Sequence, residues 1–109
     1  MNDKYKIIIQ PEAEQGIKEA YFWISHHYSP RTARIWLEGI NKAILSLDQM
    51  PLRCSLAFEN NFFEEEIRQL IYGKGKNTYR ILFTIIEKTV HVIFVRHTSQ
   101  QTLSPDDND

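Results

Sequence analysis

The sequence predicts one α+β domain in which a helical hairpin packs on an antiparallel sheet. Two stretches with apolar residues at helical spacing stand next to each other, and three runs dense in β-branched and aromatic residues follow them. A chain of 109 residues suits one compact domain. The expected order is β-α-α-β-β-β, with the domain spanning residues 1–97 and a polar, acidic tail over residues 98–109.

The first strand and the first helix adjoin each other. Residues 5–9 are short and β-branched, which predicts a strand that Pro11 ends. Pro11 also suits the first turn of a helix, where two glutamates follow it at the positive end of the helix dipole. The apolar stripe of this helix consists of Ala13, Ile17, Ala20, Tyr21, Ile24 and Tyr28.

The second helix has a clear start. Ser29 is a suitable N-cap and Pro30 a suitable first helical residue. Its stripe ends before Met50-Pro51 and consists of Ala33, Trp36, Leu37, Ile40, Ile44 and Leu47. Since few residues join the two helices, we expect them to run antiparallel.

Three strands are expected at residues 66–72, 78–86 and 89–97. Only Glu87-Lys88 separates the last two, which favours a tight hairpin. Gly73-Lys74-Gly75-Lys76-Asn77 forms the preceding turn.

The last two strands are apolar on both faces, although one helical hairpin covers one face only. The other face is either a hydrophobic groove for a partner or is covered by the loop around Phe62-Phe63; the sequence favours the partner. In the last strand, strict alternation would place Val90, Val92 and Phe94 on one face of the sheet. His91, Ile93, Val95 and His97 would lie on the other face.

Composition excludes several classes of protein. The 42% hydrophobic content is too high for a disordered tail, and a single cysteine, Cys54, excludes an internally disulfide-stapled scaffold. No apolar run approaches the roughly 20 residues of a membrane span, and the N-terminus does not resemble a signal peptide. We therefore expect a cytoplasmic protein without a membrane partner.

Charge is unevenly distributed along the chain. Residues 1–67 carry 7 basic and 10 acidic side chains, whereas residues 68–97 carry 6 basic and 1 acidic. A local balance of +5 suits either a solvated sheet face or contact with phosphate or an acidic peptide.

Neither a metal nor a cofactor site is expected. His26 and His27 point about 100° apart on a helix, and His91 and His97 stand roughly 20 Å apart on a strand. The glycine-lysine turn at residues 73–78 lacks the helix that follows a phosphate-binding loop. Cys54 has no partners nearby in sequence and is expected to be inert.

The remaining chemistry lies in Arg68, Arg80, Arg96 and His97. Arginine on a strand places its guanidinium in water or on an anion, and histidine transfers protons near neutral pH. His97 could move protons while Arg68 and Arg80 stabilise the charged transition state of metal-free RNA cleavage. That reaction needs both an acid and a base, however, and only His97 is an obvious candidate. Arginines that neutralise an acidic partner are an equally good interpretation.

The chain resembles the RelE/ParE superfamily of toxins from type II toxin–antitoxin modules, also called plasmid stabilisation proteins. The resemblance covers residues 5–97 and rests on an ordered set of segments: Pro11-Glu12-Ala13-Glu14, Ser29-Pro30-Arg31-Thr32-Ala33, Leu47-Asp48-Gln49-Met50-Pro51, Ile67-Arg68-Gln69-Leu70, Tyr79-Arg80-Ile81-Leu82-Phe83 and Val90-His91-Val92-Ile93-Phe94-Val95-Arg96-His97.

The resemblance implies a curved antiparallel sheet and a cognate antitoxin lying across it. The antitoxin would contact Arg80, Leu82, Ile93, Val95 and Arg96. RelE-like members cut mRNA on the ribosome, often with a tyrosine near the C-terminus, whereas ParE-like members act on DNA gyrase.

The sequence favours the ParE side, because no tyrosine follows His97. The alternatives are a RelE-like endonuclease that uses Arg68, Arg80 and His97, and an attenuated toxin that only binds its antitoxin. A homodimer or a toxin–antitoxin hetero-oligomer is compatible with either.

Overall fold

The computed structural model describes residues 4–99 and contains the six expected elements in the expected order. They are β1 (Lys6–Ile9), α1 (Pro11–His27), α2 (Pro30–Leu45), β2 (Arg68–Tyr72), β3 (Tyr79–Ile86) and β4 (Thr89–His97). The α+β class is confirmed. Beyond β4 the Thr98 amide still donates to the Thr78 carbonyl at 2.9 Å. Most of the predicted tail, residues 100–109, lies outside the described residues.

Both helices begin where the sequence predicts. Pro11 opens α1, and its first turn carries two glutamates. At the start of α2 the Ser29 hydroxyl accepts a hydrogen bond from the Thr32 amide at 3.0 Å, which is the expected N-cap. Within residues 4–99 no helix is long and apolar enough to cross a lipid bilayer.

The helical hairpin packs on one face of the sheet, called here the helix face. Gly16 allows α1 to approach β4 closely, since a Cβ there would stand 2.5 Å from the Val95 carbonyl oxygen. The main core contains buried apolar residues of both helices, of the short 3-10 turn after α2 and of the strands beneath them: Ala13, Ile17, Ala20, Ile24, Ala33, Trp36, Ile40, Ile44, Leu47, Tyr79, Ile81, Phe83, Val90, Val92 and Val95.

The sheet is mixed, whereas the sequence predicted an antiparallel one. Its strand order is β1-β4-β3-β2, and β1 pairs with β4 in parallel while the other two pairings are antiparallel. The chain leaves β1 through the helical hairpin and not through a turn, so nothing forces β1 to run against its neighbour. The expected tight hairpin is confirmed: Glu87 adopts φ 57° in the turn between β3 and β4.

A β-bulge at Ile93 changes which side chains of β4 share a face. Leu82 pairs with Phe94, but Phe83 pairs with Val92, so Ile93 is an extra residue. Strict alternation therefore fails after Val92. Val95 joins the main core, and Phe94 packs on the opposite side of the sheet.

The second face of the sheet, called here the outer face, is covered over its centre by the chain itself. Residues 55–67, which we call the strap, cross it and bury Leu82 completely. Ala57 and Ile67 of the strap complete this small core. The favoured prediction, a hydrophobic groove open to a partner, is therefore wrong over Leu82. The alternative, cover by the loop around Phe62-Phe63, is found there, because the long connection between α2 and β2 supplies apolar side chains such as Phe63.

Candidate functional site

Arg80 holds the strap on the outer face. Its guanidinium forms a two-point ion pair with Glu59, with Nη1 3.1 Å from Oε1 and Nη2 2.5 Å from Oε2. Nη1 also donates to the Gln69 side-chain oxygen at 3.1 Å. Arg80 is 6% exposed and Glu59 is 0% exposed. Because these acceptors belong to the chain, Arg80 fixes the strap to β3 and does not present its guanidinium to solvent.

The five residues predicted to bind a partner lie in three different environments. Arg96 is directly opposite Arg80 on β4, and Ile93 lies beside the strap; both are partly exposed. Arg80 and Leu82 lie beneath the strap. Val95 packs in the main core on the helix face. A partner on the outer face would therefore reach Ile93 and Arg96 directly.

Arg68 lies on the side of the sheet opposite to Arg80. Arg68 pairs with Phe83, whose side chain lies on the helix face. Arg80 stands three residues before Phe83 on β3, so its side chain lies on the other face. The Arg68 Nη1 donates to the Cys54 carbonyl at 2.5 Å, and its Nη2 donates to Glu66 at 3.0 Å. Arg68 therefore ties the beginning of β2 to the loop before it.

His97 lies at the other end of the helix face, and both of its ring nitrogens have hydrogen-bond partners. Nε2 is 2.5 Å from the Lys76 carbonyl oxygen, so it donates. Nδ1 accepts from the Ser99 amide at 3.0 Å and is 2.6 Å from the Ser99 hydroxyl. These partners assign the neutral tautomer with the proton on Nε2. The ring also meets the Tyr79 ring edge-on, with centroids 5.1 Å apart.

The three residues that the sequence grouped for RNA cleavage do not converge. Tyr72, Tyr79 and His97 form one row across β2, β3 and β4, whereas Arg68 lies four residues from that row. Four residues of a strand correspond to roughly 13 Å. Arg80 lies on the opposite face, so no single phosphate can contact all three side chains.

A cavity of about 480 Å³ lies between α1 and the ends of β3 and β4. Its size falls within the range of ligand pockets. The rings of Trp23, Tyr28, Tyr79 and His97 line it, and Gly16, Ala20 and Val95 form its apolar wall. Burial, followed by the nearby Tyr28 phenol, raises the pKa of Tyr79 above its ordinary value. The remaining lining residues are Glu19, Lys76, Asn77 and Ser99.

Few features of the sequence indicate this cavity. Helical spacing predicts Tyr28 in the apolar stripe of the first helix, yet it is 58% exposed. Trp23 is 46% exposed and stacks on His27 with ring centroids 4.2 Å apart. An exposed tryptophan beside the stripe was the available signal, but only the packing of β4 against α1 creates the cavity.

Metal binding and thiol chemistry have little support among residues 4–99. No group of three or more histidine, cysteine, aspartate or glutamate side chains there could hold a metal ion. Cys54 is buried, and burial raises the pKa of its thiol despite the opposing effect of Arg53 and Arg68. A thiol of that kind is a poor nucleophile near neutral pH.

Comparisons with known proteins agree with this architecture. The family model described as ParE toxin of type II toxin-antitoxin system, parDE, matches residues 7–102. A search of the curated proteins returns no match.

Two solved structures share the fold. A chain from the chromosomal ParDE toxin–antitoxin system of P. aeruginosa superposes with a TM-score of 0.71 at 12% identity, over 87% of this chain and 97% of that one. A chain of the RelBE2 toxin–antitoxin complex of Mycobacterium tuberculosis gives a TM-score of 0.54 at 18% identity, over 89% of this chain and 94% of that one. With the family match over residues 7–102, these findings show that the chain belongs to the ParE toxin family of type II toxin–antitoxin systems, within the RelE/ParE superfamily.

Proposed function

We propose that this toxin acts on DNA gyrase without any catalytic step of its own, and that a cognate antitoxin neutralises it by binding on the outer face of the sheet. Gyrase works on chromosomal DNA, so the proposal implies a cytoplasmic location. No cofactor takes part. The alternatives are a RelE-like mRNA endonuclease acting at the ribosome and an attenuated toxin that only binds its antitoxin.

The observation that carries this proposal is that Arg68, Arg80 and His97 serve the fold. The Arg80 guanidinium is already paired with Glu59, and the lone pair of His97 Nδ1 already accepts a hydrogen bond from the Ser99 amide. A general base needs that lone pair, and transition-state stabilisation needs a guanidinium that can contact phosphate. The arrangement therefore favours a toxin that acts by binding another protein over one that cleaves RNA.

The partly open outer face supports the antitoxin surface. Beside the strap, Ile93 and Arg96 are partly exposed, and the same face continues over Ile8 and Ile86, which are 45% and 47% exposed. Apolar side chains next to an arginine suit an amphipathic segment with a carboxylate. His91 lies in the middle of this area, where its Nδ1 is 3.1 Å from the Gln10 amide nitrogen.

The deciding experiment incubates the purified toxin, free of antitoxin, with gyrase, ATP and supercoiled plasmid. After denaturation with detergent and digestion with protease, we expect linear DNA that increases with toxin and disappears when the antitoxin is added. An Arg80→Gln, Glu59→Gln double variant should still produce it, because the proposal gives Arg80 no catalytic role.

A translating extract distinguishes the alternatives. If the gyrase assay yields no linear plasmid, the extract shows cleaved mRNA and His97→Ala abolishes that cleavage, the toxin is an endonuclease and the proposal is overturned. Inactivity in both assays with retained antitoxin binding would identify the attenuated toxin.

A further inference from the structure

The cavity between α1 and the ends of β3 and β4 has no part in the proposed function. One face of α1 forms a wall of it, because four of its lining residues follow one another at helical spacing: Gly16, Glu19, Ala20 and Trp23. Two of these four are glycine and alanine, which contribute little side-chain volume, so space remains beside the helix. The resulting volume of about 480 Å³ suits a small organic molecule.

The exposed aromatic rings of this cavity are held in place by their neighbours. The Trp23 ring stacks on His27 at an interplanar angle of 18°, and the His27 Nδ1 donates to the Trp23 carbonyl oxygen at 2.9 Å. Tyr28 meets the Trp23 ring at 63°, with centroids 6.0 Å apart. Rings that are already positioned lose little conformational entropy when a ligand packs against them. A planar apolar ligand would therefore gain contact area here at low cost.

The Tyr79 hydroxyl supplies a buried polar group to the same cavity. Tyr79 is 6% exposed, and among residues 4–99 its hydroxyl has no hydrogen-bond partner. Tyr72, its neighbour in the row across the sheet, differs in this respect, since its hydroxyl donates to the Trp36 carbonyl at 3.3 Å. Buried tyrosine hydroxyls usually have a partner. An acceptor atom on a bound molecule would provide one for Tyr79.

The charged groups that line the cavity balance each other. Glu19 and Lys76 contribute one charge of each sign, and both residues are exposed. His97 adds no charge in the neutral tautomer that its hydrogen bonds assign. The lining therefore has no net charge to select an ion, which favours an uncharged ligand.

We propose that this cavity binds a small, uncharged, planar aromatic molecule that carries a hydrogen-bond acceptor. Its ring would pack against Trp23 and Tyr28, and its acceptor would receive a hydrogen bond from the Tyr79 hydroxyl. This site lies on the helix face, away from the outer face proposed for the antitoxin, and does not depend on gyrase being the target.

The test compares two probes of the same bicyclic shape. Quinoline is uncharged at neutral pH and has one acceptor nitrogen, whereas in N-methylquinolinium a methyl group blocks that nitrogen and leaves a positive charge. Each probe is titrated into the isotope-labelled, full-length protein, and the amide chemical shifts are followed by NMR. We expect quinoline to bind at least tenfold more tightly, with the largest shifts at Asn77, Val95 and Ser99.

Matched variants assign the contacts. Tyr79→Phe should weaken quinoline binding about fivefold and leave N-methylquinolinium binding unchanged, because only quinoline can accept the hydrogen bond. Trp23→Ala should weaken the binding of both probes about tenfold. Phe22→Ala is the control for Trp23→Ala, since Phe22 is 68% exposed on the same helix and does not line the cavity; it should change neither affinity. Thermal unfolding of each variant verifies that the fold is retained.

Three results would overturn the proposal. Equal or tighter binding of N-methylquinolinium would show that the cavity selects aromatic cations. An equal effect of Tyr79→Phe on both probes, or no effect on either, would remove the hydrogen bond from the site. Shifts that centre elsewhere, or an equal loss of binding in Phe22→Ala, would show that quinoline does not bind in this cavity.

Discussion

The buried Arg80–Glu59 pair gives the sharpest stability prediction. With Glu59 at 0% and Arg80 at 6% exposure, replacing Arg80 removes the guanidinium that pairs with a carboxylate held away from water. We expect Arg80→Met to lower the free energy of unfolding by about 3–5 kcal/mol. Part of that loss reflects the desolvated Glu59 carboxylate, which also loses both guanidinium hydrogen bonds.

The double variant Arg80→Met, Glu59→Met tests the cause of that loss. It removes both charges and retains apolar volume under the strap, so its stability should return to within about 1 kcal/mol of the wild type or exceed it. The assay is urea unfolding at neutral pH, followed by circular dichroism and by tryptophan fluorescence to verify two-state behaviour.

The Arg68–Glu66 pair is the matched control, because it has a similar distance of 3.0 Å but Glu66 is 61% exposed. Glu66→Gln should change the free energy of unfolding by less than about 1 kcal/mol. The reasoning is refuted if Arg80→Met costs no more than Glu66→Gln, or if the double variant loses the sum of both single losses.

Three further perturbations probe the packing. Gly16→Ala should destabilise the protein by about 1–3 kcal/mol in urea unfolding, because its Cβ would stand 2.5 Å from a backbone oxygen; an unchanged midpoint would contradict the close approach of α1. Burial raises the pKa of the Cys54 thiol, so a thiol-disulfide reagent at about pH 8 should react slowly until urea unfolds the chain; equal native and unfolded rates would refute this. Burial also raises the pKa of Tyr79, so the unfolded chain ionises first and stability falls above about pH 10. Tyr79→Phe should reduce that fall between urea titrations at about pH 8 and pH 10.5; an unchanged fall would exclude Tyr79 as a source.

Local signals sufficed for most of the secondary structure. The Ser29 cap and the prolines at the helix starts are short-range features, and both helices begin where those features stand. The parallel pairing of β1 with β4 is different in kind. It joins Ile7 to Val90, residues far apart in the chain, and no turn chemistry records the direction of such a pairing.

The functional side chains were harder to predict than the elements. The sequence predicts that Arg80 binds an anion, and it does. That anion is the Glu59 carboxylate, which comes from a stretch without clear periodicity. Sequence spacing cannot reveal that a carboxylate 21 residues away will be buried against a strand arginine. The covered outer face follows from the same contact, since the strap lies where the ion pair holds it.

The bulge at Ile93 determines what each face of β4 offers to a partner. Without the extra residue, alternation from Val90 and Val92 would continue through Phe94 to Arg96, and the arginine would point into the helical hairpin. With it, Arg96 lies opposite Arg80 on the outer face, and His97 lies against Tyr79 on the helix face. One inserted residue therefore places a partly exposed cation beside the proposed antitoxin surface and the histidine within hydrogen-bond reach of Lys76 and Ser99.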